Sequence, residues 1–477
     1  MGVLNNFNND TICAIATAMS DAGIGIIRVS GKDAVEICDK IYCSSKMIHN
    51  LKSHKPNSIV FGYICDDSKD ADNQIVDEVM ISYMKAPHSY TKEDVIEINS
   101  HGGMLVMNQI ILLLLDKGCR LAEPGEFTKR AFLNGRIDLT KAEAIMDVIS
   151  AQNNFALESS RTQLQGKMYN KIKSYREKIL YQMAFIESAL DDPENYDLTG
   201  FPEKLKETLK PIILDIQNLI ETADEGIIRK DGIKTVIVGK PNAGKSSLLN
   251  MLTGNDRAIV TDIAGTTRDI IEETVRLGDI VLHVIDTAGI RNTEDVIEKI
   301  GVDRAKSKIQ EADLILYILD STSAIDDEDK EIISLCKNKK TIVLLNKDDL
   351  TENIKVTDNH ISELLSSVTE YDVPVIKTSM LNGLGIEELK KSVTDLFLNG
   401  DIVPKQEIYV TNLRHKDLLN HSLESLRLVI DSIDKNLSED FYTVDLTESY
   451  TKLGEIIGEE VGDDLVEEIF SKFCMGK

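Results

Sequence analysis

A glycine-rich segment near the middle of the chain has the spacing of a phosphate-binding loop. Residues 239–246 read Gly-Lys-Pro-Asn-Ala-Gly-Lys-Ser, between an apolar run and a helical pattern. In such a loop, backbone N–H groups turn toward phosphate oxygens, and the following helix adds the positive end of its dipole. Lys245 is expected to neutralise the β- and γ-phosphates, and Ser246 to bind Mg²⁺. The predicted nucleotide contacts of this loop are Asn242, Ala243, Gly244, Lys245, Ser246 and Ser247.

Four further segments follow in the order expected of a guanine-nucleotide enzyme. Thr266-Thr267 offers a hydroxyl group to the metal, and Asp286-Thr287-Ala288-Gly289 offers a carboxylate for Mg²⁺ and an N–H group for the γ-phosphate. Asn346-Lys347-Asp348-Asp349 ends another apolar run. The carboxylate of Asp349 can pair with the two N–H donors of the guanine edge, which adenine lacks. Ser379-Met380-Leu381 occupies the last base-contacting loop, so the set predicts a GTP site.

The group that orients the attacking water in small signalling GTPases is missing from its usual place. Those enzymes have a glutamine directly after the Asp-x-x-Gly segment, whereas this chain has Ile290, whose apolar side chain cannot orient water. The nearest acidic residues are Glu294, Asp295 and Glu298, and spacing alone does not choose among them. The sequence therefore predicts either very slow hydrolysis or a water molecule oriented by another group.

The composition limits the classes of protein that can carry this site. The chain has 477 residues, a formal net charge of −26 and no tryptophan. Such a chain repels polyanions on average, so contact with nucleic acid requires a local basic patch or a basic partner. Its seven cysteines lack metal-ligand spacing, and no apolar run is long enough to span a bilayer. Together with a start that does not resemble a signal peptide, these features predict reduced thiols, no membrane partner and a cytoplasmic location.

The apolar spacing predicts the elements that must hold these segments. Apolar residues at steps of three and four predict one amphipathic helix from Leu164 to Leu190, and a second helical pattern ends near Gly226. Helical patterns return after Pro404. Between the two helical regions, short apolar runs alternate with helices, which is typical of a parallel sheet with helices on both faces. The predicted strands of that sheet are 235–238, 280–285, 314–319, 341–345 and 373–376.

This order of elements predicts a multidomain fold. An N-terminal α+β domain is expected at 1–120, and an all-α helical domain in two parts at 121–228 and 401–477. An α/β P-loop G domain with a mostly parallel sheet is expected at 229–400. Because helices flank the α/β region on both sides, the simplest architecture is a helical domain into which the G domain is inserted as a movable unit.

Segments outside the G domain carry motifs of their own. They include Gly-Ile-Ile-Arg-Val-Ser-Gly at 25–31, Tyr-Thr-Lys-Glu-Asp-Val-Ile-Glu at 90–97, and further matches at 101–103, 124–127, 131–139 and 473–477. Together with the segments at 239–246, 260–269 and 286–289, they resemble the MnmE (TrmE) family of bacterial GTPases that modify the wobble uridine of tRNA, within the TrmE-Era-EngA-like group. The P-loop segments occur in many GTPases, so the flanking motifs decide the resemblance.

For the G domain, the resemblance implies a K⁺-activated GTPase whose G domains dimerise across the nucleotide. It implies K⁺ ligands in Asn242, Thr261, Ile263 and Thr266, and Mg²⁺ ligands in Ser246 and Thr267. A monovalent cation at the phosphates can stabilise developing charge as an arginine finger does. Glu298 matches the family's water-orienting glutamate. The nucleotide contacts implied in the central loop are Thr261, Asp262, Ile263, Ala264, Gly265, Thr266 and Thr267, and the predicted catalytic residues are Glu298, Lys245, Arg268, Asp269 and Cys474.

For the N-terminal domain, the resemblance implies a bound 5-formyltetrahydrofolate-type cofactor as one-carbon donor. The matching residues are Arg28, Glu97 and Arg136, with Lys477 arriving from the C-terminus. Arg136 stands where some members have lysine, a change that keeps the charge and alters the hydrogen-bonding geometry. Without the resemblance, Arg28 and Glu97 read as a surface ion pair.

The C-terminal Cys474 has three possible interpretations. Cys-Met-Gly-Lys looks like a prenylation box, but a terminal lysine fits none of the usual patterns. The residue can also be a simple thiol at a helix end. The resemblance places it near the modification site and so implies a catalytic role. In the first loop, residues 17–23 depart from the Pro/Gly-rich loop expected in the family, so cofactor contacts are not assigned there.

The predicted function is a K⁺-dependent GTPase that adds a (carboxymethyl)aminomethyl group to C5 of U34 in certain tRNAs. The resemblance implies a homodimer that forms a heterotetramer with a flavin-dependent, MnmG-like subunit. One alternative is a ribosome-assembly GTPase of the Era or Der type, which needs a basic RNA-binding domain or a second G domain. Another is a nucleotide-gated scaffold without significant turnover. A third is a folate-binding enzyme that the G domain merely regulates.

Overall fold

The computed structural model describes residues 10–69, 74–192, 194–196, 198–255, 273–278, 280–285, 309–337, 339–350, 355–356, 361, 372–398, 408–473 and 476. The chain divides into two compact units. The first comprises Met1–Ile149, Thr162–Ile213 and Leu418–Lys477, and the second comprises Ser150–Arg161 and Leu214–Asp417. The predicted multidomain fold is confirmed, with an N-terminal α+β part, a helical part and an α/β P-loop part. The four-part domain boundaries remain a prediction.

The first unit contains a seven-stranded sheet in the order β3-β4-β5-β6-β2-β1-β7. Neighbouring strands are antiparallel, except that β1 and β7 run parallel. A continuous apolar core joins one face of the sheet to two helices, α1 and α2. The bounds are β1 Ile12–Ile15, β2 Ala22–Ser30, α1 Ala34–Asp39, β3 Tyr42–Cys43, β4 Ser58–Cys65, β5 Ile75–Met84, β6 Val95–Gly102, α2 Met104–Asp116 and β7 Arg120–Leu121.

Helices dominate the sequence on both sides of the α/β part. Before it lie α3 Glu126–Leu133, α4 Leu139–Ser150, α5 Asn154–Leu164, α6 Lys167–Asp191, α7 Phe201–Glu221 and α8 Ala223–Asp231. After it lie α12 Leu413–Asp434, α13 Glu439–Ile457 and α14 Asp463–Ser471. None of the helices in the described residues is long and apolar enough to cross a membrane.

Two predicted helix ends were wrong. The helix predicted from Leu164 begins at Lys167, because Gly166 adopts a left-handed φ of 79° and separates α5 from α6. The helical pattern predicted to end near Gly226 is divided into two helices, because α7 ends at Glu221 and α8 continues to Asp231 with Gly226 inside it. A Cβ atom at Gly226 would crowd the carbonyl oxygen of Val410, so this glycine permits close packing instead of ending a helix.

The second unit contains a six-stranded sheet in the order β13-β12-β11-β8-β10-β9. All pairs are parallel except that of β10 with β9. The sequence analysis did not predict β9, which is an edge strand. The strands are β8 Ile233–Val238, β9 Glu273–Leu277, β10 Ile280–Val284, β11 Leu314–Asp320, β12 Lys340–Asn346 and β13 Val375–Lys377. The helices are α9 Lys245–Asn255, α10 Asp327–Leu335 and α11 Ile386–Phe397.

Separate apolar cores lie on the two faces of this parallel sheet. Along β8, Ile233 and Ile237 belong to one core, whereas Val236 and Val238 belong to the other. This alternation follows from the two-residue period of a strand. Because both faces are covered, the central strands are apolar throughout, and this is why their short apolar runs could be recognised in the sequence.

Candidate functional site: a P-loop and an arginine–aromatic cluster

The glycine-rich loop connects the end of β8 to the start of α9, at the carboxyl edge of the parallel sheet. Gly239 and Gly244 have φ angles of 149° and 113°, which favour glycine. A Cβ atom at Gly239 would collide with the carbonyl oxygen of Ile318, and one at Gly244 with the side-chain amide of Asn346. The loop therefore packs directly on the ends of β11 and β12. Glycine at these two positions permits the tight curl of the loop, which binding of a phosphate chain by backbone N–H groups requires.

The ammonium group of Lys245 lies inside the curl of this loop. It donates to the carbonyl oxygens of Gly239 at 2.5 Å and Lys240 at 2.7 Å. Lys245 and Ser246 open helix α9, whose N–H groups and dipole point toward the loop. A cation, a hydroxyl group and a helix N-terminus at one place are the donor set that a triphosphate and its Mg²⁺ need, so the residues present fit that substrate.

An ion-pair cluster around the buried Asp329 was missed by the sequence analysis. The ammonium of Lys240 lies 2.6 Å from Asp326 and 2.5 Å from Asp329, and the Asp329 residue is only 2% exposed. Tyr317 on β11 donates its hydroxyl to the same Asp329 carboxylate at 2.9 Å. Burial lowers the pKa of Lys240, but its two carboxylate partners outweigh that effect and raise it above its usual value. Lys240 thus anchors the loop to α10.

Asn346 joins two of the predicted nucleotide-binding segments. Its side-chain amide donates to the carbonyl oxygen of Ala243 in the loop at 2.8 Å, and its side-chain oxygen accepts the N–H of Met380 at 3.1 Å. The side chain is buried at the end of β12. The sequence predicted a role for Asn346 at the nucleotide. In the structure its two hydrogen bonds link the glycine-rich loop at 239–246 (the phosphate loop) to the segment at 379–381 (the base loop).

The neighbouring Lys347 is held by an acidic partner on β11. Its ammonium lies 2.5 Å from Asp320, which also accepts hydrogen bonds from the backbone N–H and the hydroxyl of Thr322 at 2.9 and 2.6 Å. Burial raises the pKa of Asp320, yet the hydrogen bonds from Lys347 and Thr322 outweigh it and hold that pKa below its usual value. The predicted base reader, Asp349, lies exposed two residues further on.

The last base-contacting segment follows β13. Ser379 is buried, and its hydroxyl has no hydrogen-bond partner among the residues that the structure describes. Leu381, two residues after Ser379, is 87% exposed. The backbone N–H of Asp348 donates to the carbonyl oxygen of Thr378 at 3.2 Å, so this segment contacts the one that ends β12. The backbone contact between Asp348 and Thr378 brings this segment next to the one that carries Asp349, and both are predicted to contact the base.

Many predicted site residues lie outside the described residues. They are Thr261, Asp262, Ile263, Ala264, Gly265, Thr266, Thr267, Arg268, Asp269, Asp286, Thr287, Ala288, Gly289, Glu298, Cys474 and Lys477. Their roles stay predictions. Within the part of the chain that the structure describes, no group of three or more His, Cys, Asp or Glu residues could hold a metal ion by itself.

A second cluster of predicted residues lies on the sheet of the first unit. Arg28 on β2 faces Glu97 on β6 in the register of the two strands. The Nε of Arg28 donates to one carboxylate oxygen of Glu97 at 2.9 Å. A second guanidinium nitrogen lies 2.8 Å from the same oxygen. A third guanidinium nitrogen donates to the carbonyl oxygen of Gly476 at 3.1 Å. The structure therefore brings together two predicted residues and the last described residue of the C-terminus.

An aromatic ring organises this cluster, and the sequence analysis did not assign it a role. The guanidinium carbon of Arg136 lies 4.4 Å from the centre of the Tyr90 ring, and that of Arg28 lies 5.1 Å from the same centre. The Tyr90 hydroxyl is hydrogen-bonded to Thr128 at 2.9 Å. Arg28 also lies 5.6 Å from the Phe127 ring. Two cations over aromatic rings form a surface for a flat, anionic ligand, so the residues present fit a folate-type molecule.

A network of ion pairs supports the elements around Tyr90. Arg130 on α3 contacts three carboxylates, at 2.9 Å from Asp10, 3.2 Å from Glu93 and 2.9 Å from Glu126. Burial raises the pKa of Glu126, but hydrogen bonds from Arg120, from the backbone and from Arg130 outweigh it and keep that pKa below its usual value. These contacts fix α3 against the segment that carries Tyr90, and only the pair of Arg130 with Glu126, four residues apart on one helix, could be inferred from spacing.

Comparison with known proteins places the chain in a family. Residues 139–474 match the family model of the MnmE helical domain, and residues 11–136 match that of the GTP-binding protein TrmE N-terminus. The chain is 48% identical to the tRNA modification GTPase MnmE of Lachnoclostridium phytofermentans, over 98% of this chain and 99% of the relative. It is 46% identical to that of Alkaliphilus oremlandii and 44% identical to that of Staphylococcus haemolyticus, with the same coverage. The chain belongs to the MnmE family of tRNA modification GTPases.

Proposed function

We propose that this protein is a K⁺-dependent, Mg²⁺-dependent GTPase of the cytoplasm that modifies C5 of the wobble uridine U34 in certain tRNAs. It acts as a homodimer with a flavin-dependent, MnmG-like subunit, and the group added is a (carboxymethyl)aminomethyl group. Relatives that are 44–48% identical over nearly the full length bear the name tRNA modification GTPase. That likeness supports tRNA as substrate, and the geometry of the two clusters supports the division of work within the chain.

The observation that carries the K⁺ proposal is the position of Asn242. Its side chain is exposed at the tip of the loop, and its φ of 61° is unusual for a residue other than glycine. It lies three residues before Lys245, whose ammonium lies within the curl of the same loop. An amide oxygen held there is a suitable ligand for a monovalent cation placed against the phosphates. Asn242 would hold K⁺ together with Thr261, Ile263 and Thr266.

The remaining roles in the GTPase reaction rest on residue chemistry and, for Glu298, Arg268 and Asp269, on the resemblance to the family. Lys245 would bind the phosphates, Ser246 and Thr267 would hold Mg²⁺, which neutralises phosphate charge when bound, and Asp349 would select guanine. Asn346 keeps the phosphate loop and base loop together through its two hydrogen bonds. Glu298 orients the attacking water in place of the glutamine that Ile290 replaces, and Arg268 and Asp269 act in the same catalytic region.

The arginine–aromatic cluster is proposed to hold a 5-formyltetrahydrofolate-type cofactor, which supplies a one-carbon unit when bound. Arg28 and Arg136 would attract its carboxylates, and the Tyr90 ring holds both guanidinium groups in position. Lys477 follows Gly476, which already contacts Arg28. Cys474, three residues before the C-terminus, is the proposed reactive thiol of this region.

The uncovered face of the sheet in the first unit supports the homodimer. Ile59, Phe61 and Met80 are 66%, 52% and 49% exposed, and Phe61 pairs directly with Met80 across β4 and β5. The strand registers place Ile59, Ser82, Glu97 and Arg28 in one row across the sheet, so the ion pair lies on this same face. An exposed apolar face continuous with a ligand cluster is a suitable surface for a second copy of the chain.

Phosphate release from GTP, measured in KCl and in NaCl at equal ionic strength, tests the proposal. The wild-type chain should hydrolyse GTP much faster in KCl, and Glu298→Ala should lose this stimulation. Glu294→Ala is the matched control, because it removes a nearby carboxylate that has no assigned role, and it should behave like wild type. Equal slow rates in both salts with intact GTP binding would instead favour a nucleotide-gated scaffold.

A further inference from the structure

The segment from Lys40, just before β3, to the end of β4 differs in charge from the rest of this acidic chain. From Lys40 to Cys65 the sequence contains four lysines and two histidines but neither Asp nor Glu, although the whole chain has 80 acidic residues against 54 basic ones. All four lysines, Lys40, Lys46, Lys52 and Lys55, are exposed. Within a protein of net charge −26, this segment is a local basic surface.

Acidic residues at the borders of this segment are bound to other groups. Asp39 accepts a hydrogen bond from the backbone N–H of Lys52 at 3.2 Å, and Asp67 lies 3.3 Å from the His49 ring. Among the residues that the structure describes, no carboxylate lies within ion-pair distance of the four ammonium groups. Each of the four ammonium groups therefore extends from the surface without a direct carboxylate partner among the described residues.

The segment has a defined backbone. Leu51 is fully buried in the core, and the Tyr42 and His54 rings meet edge to face at 6.5 Å. A tight turn closes where the backbone N–H of Met47 donates to the carbonyl oxygen of Ser44 at 2.8 Å. Met47 and Ile48 project from that turn and are exposed. The lysines thus stand on an ordered scaffold, which lowers the entropic cost of binding a partner.

We infer that this basic surface, defined by Lys40, Lys46, Lys52 and Lys55, contacts the phosphate backbone of tRNA. The inference rests on the proposed function for the identity of the polyanion. Strand β3 is the outer edge of the sheet, and β2, which carries Arg28, lies four strands away. At the usual spacing between strands that is about 19 Å. Phosphates can therefore bind at the edge while a base of the same RNA approaches the arginine–aromatic cluster.

The test compares two triple variants of the full-length chain that lose the same charge. One is Lys46→Gln, Lys52→Gln, Lys55→Gln. The matched control is Lys330→Gln, Lys435→Gln, Lys472→Gln, which removes three exposed lysines from other parts of the chain. Binding of an unmodified tRNA transcript with uridine at the wobble position is measured between 50 and 200 mM KCl. The first variant should bind about tenfold more weakly, with a salt slope reduced by two to three, whereas the control should change less than about twofold.

Three outcomes would overturn the inference: equal effects of the two variants, no effect of either, or no binding of tRNA by the wild-type chain at 50 mM KCl. Normal tRNA binding with lost binding of the flavin-dependent subunit would assign the surface to a protein partner instead. K⁺-stimulated GTP hydrolysis, measured on the same samples, distinguishes failure of the proposed GTPase function from failure of the proposed tRNA contact. If it persists while tRNA binding is unaffected, only the inference about the lysines fails.

Discussion

The two clusters are built in opposite ways. In the P-loop region, Lys245 contacts carbonyl oxygens only five and six residues before it, in a loop between one strand and one helix. On the sheet of the first unit, Arg28 contacts Glu97, 69 residues away, and Gly476, 448 residues away. The first site is encoded in a contiguous segment because the backbone does most of the binding. The second depends on side chains that meet only after folding.

The difference also concerns which atoms hold each site. The phosphate loop depends on glycine backbone angles and on the carbonyl oxygen of Ala243, so any added side chain disturbs it. The arginine–aromatic cluster depends on ring and guanidinium contacts that tolerate small shifts. We therefore expect substitutions in the loop to have larger effects than substitutions in the cluster.

The largest effect is expected for Gly244→Ala. The methyl group would collide with Asn346, and the φ of 113° strains any residue other than glycine. We expect the collision and the strain together to reduce the free energy of GTP binding by about 3 kcal/mol, which makes binding about a hundredfold weaker. Titration with a fluorescent GTP analogue measures this affinity. Gly200→Ala is the control, since its φ is 73° but no atom lies within 4 Å of the added methyl. Unchanged affinity in Gly244→Ala would refute the close packing of loop and strand.

A smaller effect is expected for Lys240→Met, which leaves Asp329 buried without its cation. Removing one partner of a buried ion pair lowers the free energy of unfolding by about 3 kcal/mol. Here we expect about 2 kcal/mol, because Lys240 is partly exposed. Hydrogen exchange at the amides of β8 and α10 should therefore accelerate, and KM for GTP should rise more than kcat falls. Lys330→Met on α10 is the control, because its partner Asp327 is fully in solvent and little should change. If both variants behave alike, the Lys240 cluster does not support the loop.

The smallest effect is expected for Tyr90→Leu in the arginine–aromatic cluster. Loss of the ring beneath two guanidinium groups should weaken binding of 5-formyltetrahydrofolate about tenfold, measured by calorimetric titration. Tyr90→Phe keeps the ring and loses only the hydrogen bond to Thr128, so its affinity should stay within about threefold of wild type. Equal losses in both variants would show that the hydroxyl, and not the ring, is what matters.

Sequence spacing predicted the α/β part well because its strands are buried on both faces. The run at 314–319 corresponds to β11 Leu314–Asp320, and the run at 341–345 to β12 Lys340–Asn346. Short edge strands such as β3, β7 and β9 were not predicted, because two to five residues carry too little periodicity to be recognised. The helix boundaries at Leu164 and Gly226 failed because a glycine can either end a helix or permit close packing inside one.

The sequence by itself determined the nucleotide-binding chemistry, because the loop from Gly239 to Ser246 carries its function in backbone angles and adjacent side chains. Only the tertiary structure decided that Lys240 anchors this loop through buried Asp329, and that Tyr90 lies beneath Arg28 and Arg136. The reason is physical. Local backbone conformation is written in neighbouring residues, whereas a buried charge or a stacked cation finds its partner through chain folding that spacing does not reveal.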